Sequence, residues 1–321
     1  MESVEKANVT KGVRVFVTCD LDVPIRDGQV VDTFRLDAAL PALKYLQDKG
    51  AQLVLAGHLG RPDGHFVPEL STKLLVPYFK EKLGEGGFEL LENLRFDPRE
   101  EQNDDFFAVS LAKKADLYVN ECFSTSHRAY ASIIGVPKYL PAYAGLRLMK
   151  EVETLHDVIK NPRRPLTAIV GGVKLETKLP AVFALLKMAD YVLVGGKLGL
   201  DWHGDVVQNL ILPKDYALGE KDIGPETIAE FRRIIALSKS VIWSGPMGAY
   251  EESEFSLGTA AVIEAISTSG VYSVVGGGDT IGAIKKLKSL SVIDFISTGG
   301  GAMLKFLVGE PLPGLMALGY A

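Results

Sequence analysis

Apolar residues in this chain fall into short, nearly continuous runs that alternate with longer segments of helical period. The runs VRVFVT (13–18), QLVLA (52–56), FELL (88–91) and DLYVN (116–120) predict strands. Between them, residues 32–50, 73–83 and 104–114 predict helices. Residues 141–161 form a longer amphipathic segment that ends at the breaker PRRP and predict a connecting helix. The pattern then resumes with strands at 166–170, 191–195, 209–212, 240–243, 272–275 and 292–297, with helices between most of them. Strands that are apolar on both faces and alternate with helices belong to parallel sheets covered on both sides. The expected fold is therefore α/β: two doubly wound parallel-sheet, Rossmann-like domains joined by a helix hinge. The boundaries expected are 1–142 for the first domain, 143–162 for the joining helix and 163–302 for the second domain.

Composition changes this picture little. The chain has 321 residues, enough for two domains, with 47% hydrophobic and 23% charged residues. A formal charge of −5 argues against nucleic acid as the main partner, so any anion site has to come from local basic clusters. Cys19 and Cys122 stand far apart in no paired motif and are expected as reduced, buried thiols. The polar N-terminus and the lack of a long apolar run give a cytoplasmic expectation with no membrane partner. No coiled-coil seam is visible, and a monomer is expected.

Ligands of doubly wound sheets bind beyond the carboxyl ends of the strands, and the residues there sort by chemistry. In the first half these positions hold TCDLD (18–22), GHLGRP (57–62), ENLRF (92–96) and ECFSTSHR (121–128). They supply Asp20, Asp22, His58, Arg61, Arg95, His127 and Arg128, with Arg35 at the start of the first helix. Guanidinium forks grip carboxylate and phosphate oxygens in pairs, so this set describes a pocket for a small, highly anionic molecule. In the second half the same positions hold GGVK (171–174), GGK (195–197), SGPMG (244–248), VGGGD (275–279) and STGGG (297–301). Glycine amides at helix starts, with Lys174, Lys178 or Lys197 as point charges, describe a polyphosphate site. VVGGGDT matches neither the Walker nor the dinucleotide glycine pattern, so repetition across strand ends carries this reading.

The motifs HLGRP (58–62), LLENLRF (90–96), HRA (127–129), GGVK with Lys178, DIGP (222–225), GPMGAYE (245–251), VVGGGDT (274–280) and STGGGA (297–302) resemble phosphoglycerate kinases, in the same order and over nearly the whole chain. The resemblance implies 3-phosphoglycerate on the first domain, ATP/ADP and Mg2+ on the second, closure to join them, and a C-terminal tail, 303–321, packing back on the first domain. It places substrate binding at Asp20, Asp22, Arg35, His58, Leu59, Gly60, Arg61, Arg95 and Arg128. It places nucleotide binding at Gly171, Gly172, Lys174, Lys178, Gly196, Glu251, Gly276, Gly277, Gly278, Asp279 and Thr280, with Asp279 as the metal ligand. Arg35, Lys174, Lys178, Gly277 and Gly300 take the catalytic roles.

The chain departs from the family pattern in several places. Thr18 stands where the family has arginine, Asp22 where it has asparagine and Tyr130 where it has histidine, a loss of positive charge that predicts weaker substrate binding. The chain is also short, with material missing between Leu83 and Phe88 and after Leu200, which puts the adenine contacts in question. Two other readings stay open at this stage: a non-catalytic nucleotide-binding protein that keeps the fold, and a kinase for another small carboxylic acid.

Overall fold

β-Branched and aromatic runs, apolar on both faces, can be buried only inside a sheet with helices on each side, and two such sheets form. The computed structural model describes residues 1–173, 175–288 and 290–320, without the side chains of 175–177 and 218. It divides into two compact units, residues 1–152 with 311–321, and residues 153–310.

In the first unit the strands are β1 (Arg14–Thr18), a two-residue hairpin of β2 (Ile25–Arg26) and β3 (Gln29–Val30), β4 (Gln52–Ala56), β5 (Phe88–Leu90), β6 (Leu117–Asn120) and β7 (Ala142–Ala144). Its helices are α1 (Phe34–Asp48), α2 (Val76–Leu83), α3 (Pro98–Glu101) and α4 (Asp105–Ala112), and α5 (Leu146–Lys160) runs across the division between units. The main sheet has the order β5-β4-β1-β6-β7, and every pairing is parallel. Thr18 lies opposite both Ala56 and Asn120, and Leu55 opposite Leu90. That register brings the loops after β1, β4, β5 and β6 out along one edge. Leu36, Leu43 and Leu46 of α1 pack with Val15, Val17, Leu53 and Leu55 in the core beneath it.

The second unit contains β8 (Leu166–Val170), α6 (Leu175–Met188), β9 (Tyr191–Val194), α7 (Gly196–Leu200), β10 (Leu210–Ile211), α8 (Pro225–Leu237), β11 (Ser240–Ser244), α9 (Leu257–Ser269), β12 (Tyr272–Gly276), α10 (Gly278–Leu287), β13 (Phe295–Ser297) and α11 (Gly300–Leu307). Its parallel sheet runs β10-β9-β8-β11-β12-β13. Ser244 pairs with Val170 and Gly276, Val170 with Val194, and Gly276 with Ser297. Five glycine-bearing turns therefore leave the sheet side by side. Trp243, Ile169, Leu193 and Val275 form the core with Phe231 and Ile235 of α8 and Ile263 and Ile266 of α9. A last short helix, α12 (Pro313–Met316), belongs to the first unit, where the Gly314 amide donates to the Ser126 carbonyl at 2.8 Å.

Some local expectations need correction. Residues 142–144 form the edge strand β7, and the helix expected from 141 starts only at Leu146, after Gly145. The strand expected over 292–297 is confined to Phe295–Ser297, because Leu290–Val292 closes a 3-10 turn. Residues 303–310, placed with the C-terminal tail from the sequence, group with the second unit through α11. The hairpin of β2 and β3 was not anticipated, although Asp27 and Gly28 both have positive φ, at 51° and 73°, the turn that an Asp-Gly pair favours. Among the described residues, no helix is long and apolar enough to cross a membrane.

Candidate functional site

The basic cluster of the first unit is built on the loop after β1. Asp20 is 3% exposed, and burial lifts its carboxyl above the ordinary value against the pull of Arg35 and the Ser124 hydroxyl. Arg35, in the first turn of α1, points one nitrogen at this loop. Its Nη1 donates to the Asp22 carbonyl at 2.9 Å, to Asp20 Oδ1 at 3.3 Å and to Asp22 Oδ2 at 3.4 Å.

Asp22 is the meeting point. Its Oδ1 accepts the Gly60 amide at 2.9 Å, and its Oδ2 lies 3.9 Å from His58 Nε2. Burial alone would raise its carboxyl, but His58, the Gly60 amide, Arg35 and Arg95 together hold it below the usual range. His58 is pushed down to about 3, first by burial and then by Arg95, with Arg35 and Arg61 adding to the effect against Asp22.

Arg95 follows β5 and has partners of its own. Its Nη1 donates to the Gly60 carbonyl at 3.0 Å, its Nε lies 3.1 Å from Glu101 Oε1, and its guanidinium sits 5.4 Å from the centre of the Tyr130 ring. The Tyr130 hydroxyl donates to the same Glu101 oxygen at 3.0 Å. Neither Arg61 nor Arg128, both exposed, joins an ion pair among the described residues. The Leu59 side chain is 1% exposed and belongs to the core, so this position reaches the site only through its backbone, whose carbonyl accepts from Asn93 at 2.7 Å. Thr18, buried beside Tyr118 and Asn120, completes an uncharged hydroxyl network.

In the second unit the turns at the strand ends press backbone against backbone. Gly172, Gly196, Gly245 and Gly277 have φ of 100°, 61°, 99° and 106°, a region that side chains disfavour. A Cβ on Gly171 would run into the Pro246 carbonyl, and one on Gly196 would lie 2.9 Å from the Gly172 nitrogen. The Gly245 amide donates to Thr280 Oγ1 at 2.7 Å, so Thr280 is used inside the fold. Gly276 ends β12 in the core, while Gly278 and Asp279 lie exposed in the first turn of α10. Unsatisfied amides of that turn and of α11, which starts at Gly300, suit anionic oxygens.

Lys178 donates to the Gly171 carbonyl, and burial lowers its pKa against the opposing charge of Asp279. Lys174 lies outside the described residues. Glu251 is exposed, and its backbone carbonyl accepts from Lys286 of α10 at 2.8 Å. Lys197 is largely exposed, 4.0 Å from Asp201. Asp222, from the DIGP motif, has a structural job: its Oδ2 accepts the Gly258 amide at 2.8 Å at the start of α9.

Sequence reasoning missed Glu101, whose contact with Arg95 joins residues near in sequence but turned together only by α3. Cys19 and Cys122 are free and buried.

Two parallel α/β sheets, one edged with arginines and carboxylates and the other with glycine turns and a desolvated lysine, define an enzyme of small anionic molecules. The comparisons narrow this class. The phosphoglycerate kinase family profile matches residues 4–203 and 204–310. A cytosolic phosphoglycerate kinase of Arabidopsis thaliana is 38% identical over 387 aligned positions that cover 97% of this chain and 96% of that protein. The solved phosphoglycerate kinase of Coxiella burnetii is 31% identical with a TM-score of 0.84, and that of Pyrococcus horikoshii is 28% identical with a TM-score of 0.86; each comparison covers 99% of this chain and 98% of the other.

The chain belongs to the phosphoglycerate kinase family. Its class is therefore the phosphotransferases with a carboxyl group as acceptor, which use a nucleotide. The alignment with the Arabidopsis protein is longer than this chain, so segments of that relative have no counterpart here.

Proposed function

We propose that the chain catalyses reversible phosphoryl transfer between ATP and the carboxylate of 3-phosphoglycerate. The observation that carries this reading is the convergence of Arg35 and His58, from two different elements, on the single carboxylate of Asp22, with Arg95 donating to the carbonyl of Gly60, whose amide holds the same carboxylate. Those cationic and polar groups are arranged around one anion-sized position, as a substrate bearing carboxylate and phosphate requires. In this reading Asp20, Arg35, His58, Gly60, Arg61, Arg95 and Arg128 bind the acid, with Leu59 contributing only backbone and Asp22 lining the same position as a like charge.

The nucleotide phosphates are assigned to the amides of Gly172, Gly196, Gly277, Gly278 and Gly300, with Lys178 and Lys174 as point charges and Glu251 holding the ribose; Gly171, whose amide donates to the Ser244 carbonyl at 3.0 Å, and Gly276, paired within the sheet, shape the turns. Thr280 supports this cradle through its bond to the Gly245 amide. Asp279 fits a magnesium ion that arrives with the nucleotide. It is an exposed carboxylate at the mouth of the cradle, and Mg2+ is usually held by one or two carboxylates plus phosphate oxygens and water. When bound, that ion would neutralise phosphate charge.

The chain's own groups supply the rest. The acceptor carboxylate is already ionised at neutral pH, so no general base is needed, and donor and acceptor must be held in line while charge on the transferring group is neutralised. Arg35 keeps its other nitrogens for that purpose, since its contacts to Asp20 and Asp22 use Nη1. Lys178, stripped of water, is a stronger electrostatic partner for phosphate than a surface lysine.

An assay of this chain with ATP, magnesium and 3-phosphoglycerate, coupled to consumption of the acyl phosphate product, tests the proposal. Turnover with this acid and none with a panel of other small carboxylates is the expected result. Turnover only with another acid, or nucleotide binding without turnover, would replace it.

A further inference from the structure

Asp22 is an anion placed inside an anion site. Its Oδ2 lies 3.4 Å from Arg35 Nη1 and 3.9 Å from His58 Nε2, while Oδ1 is tied to the Gly60 amide at 2.9 Å. The side chain is 41% exposed, so it stands at the open side of the cluster, and Arg35 behind it is only 24% exposed. The group is ionised, because its neighbours hold it below the usual carboxylate range. Arg95 is likewise engaged by Glu101, so both Arg35 and Arg95 are already partnered by carboxylates of the chain itself.

An incoming acid or phosphate oxygen meets Asp22 as a like charge, and must draw Arg35 away from it. Like-charge contact and the breaking of an existing pair both count against the ligand. The Gly60 bond fixes the carboxylate there, so it cannot simply rotate aside as a surface residue would.

Building on the functional reading above, we infer that Asp22 is a built-in competitor of the substrate: a specificity-determining residue that occupies one anion position and sets a weak affinity for the acid. It touches the same cations as the ligand, and it discriminates most strongly against ligands whose only recognition is negative charge.

Asp22→Asn tests this directly. The amide keeps an oxygen for the Gly60 amide and removes the charge. Asp22→Ser serves as the second variant, and melting temperatures establish that each is folded. Binding of 3-phosphoglycerate and, separately, of inorganic sulfate to the full nucleotide-free chain is measured by calorimetry.

Removing the charge is expected to tighten sulfate binding about tenfold or more and to tighten 3-phosphoglycerate binding in the same direction. Unchanged or weaker sulfate binding in both folded variants overturns the inference. If the wild-type chain binds no 3-phosphoglycerate, the functional reading fails. The sulfate measurement still decides the competitor role, because it needs only the cation cluster.

Discussion

Gly300 and Gly277 are pressed together so closely that a Cβ on Gly300 would run into the Cα of Gly277. Gly277 has φ of 106° and leads into α10, whereas Gly300 opens α11. The contact holds two helix starts side by side, each offering unsatisfied amides. Gly300→Ala is expected to force the two turns apart, at a cost of about 1–3 kcal/mol. Its melting temperature falls, and the rise in melting temperature that ATP gives the wild type is largely lost. A variant that keeps wild-type stability and the full ATP shift contradicts this account of the cradle.

Arg35→Ala separates the acid site from the nucleotide site. The residue reaches the loop after β1 with Nη1 and belongs to the first unit, whereas the glycine cradle is part of the second. If Arg35 neutralises the transferring group, its loss lowers turnover by about a hundredfold or more. ATP affinity, measured by direct binding, stays within about twofold on the same argument, because the bound nucleotide is assigned to the glycine amides and lysines of the second unit and Arg35 acts only on the group in transfer. Normal turnover in this variant removes Arg35 from the mechanism.

Most of the framework was legible because its signals are local. Strands such as 14–18 and 52–56 announce themselves as apolar runs, and their parallel pairing follows from the helices between them. The sorting of arginines and glycines to strand ends was equally readable, since each loop follows its strand directly. Short elements without a periodic signal were not. β7 has three residues, all at the start of an apparently amphipathic stretch, and only its pairing beside β6 makes it a strand. What the sequence could not show is which charges neutralise each other. That Arg95 shares Glu101 with Tyr130, or that Asp222 is used up at the start of α9, depends on backbone paths that place these groups within hydrogen-bond reach.

Lys178 illustrates a trade between stability and binding. Burial lowers its pKa, so below that value the folded protein carries the cost of a desolvated charge that the unfolded chain does not. The sign follows: its contribution is most favourable above the ordinary lysine value and is lost as pH falls through the lowered one. Lys178→Met is therefore expected to melt at or above the wild-type temperature at neutral pH without nucleotide. With ATP present the order reverses, because a bound ligand stabilises in proportion to its affinity and the variant lacks a phosphate contact. Thermal unfolding with and without ATP checks both halves. A variant that melts well below wild type without ATP, yet gains the same shift from it, shows Lys178 to be structural.

Glu121 provides a test of pH dependence away from the ligand groups. It is 2% exposed at the end of β6, and its Oε1 accepts the Arg147 amide at 2.8 Å in the first turn of α5. Burial pushes its carboxyl up to about 8, against the amides of Arg147 and Leu148 and the charge of Arg147, with Glu151 adding to the rise. A raised carboxyl binds its proton more tightly in the folded state than in the unfolded one. The stability it contributes is complete below the ordinary carboxyl value and is lost as pH climbs towards about 8. Glu121→Gln keeps the acceptor for Arg147 and cannot ionise. Relative to wild type it should gain stability between pH 5 and pH 8.5, by roughly 4 kcal/mol at the upper end. Melting curves of both proteins across that range settle the matter, since parallel curves would mean that Glu121 does not hold its proton in the folded state.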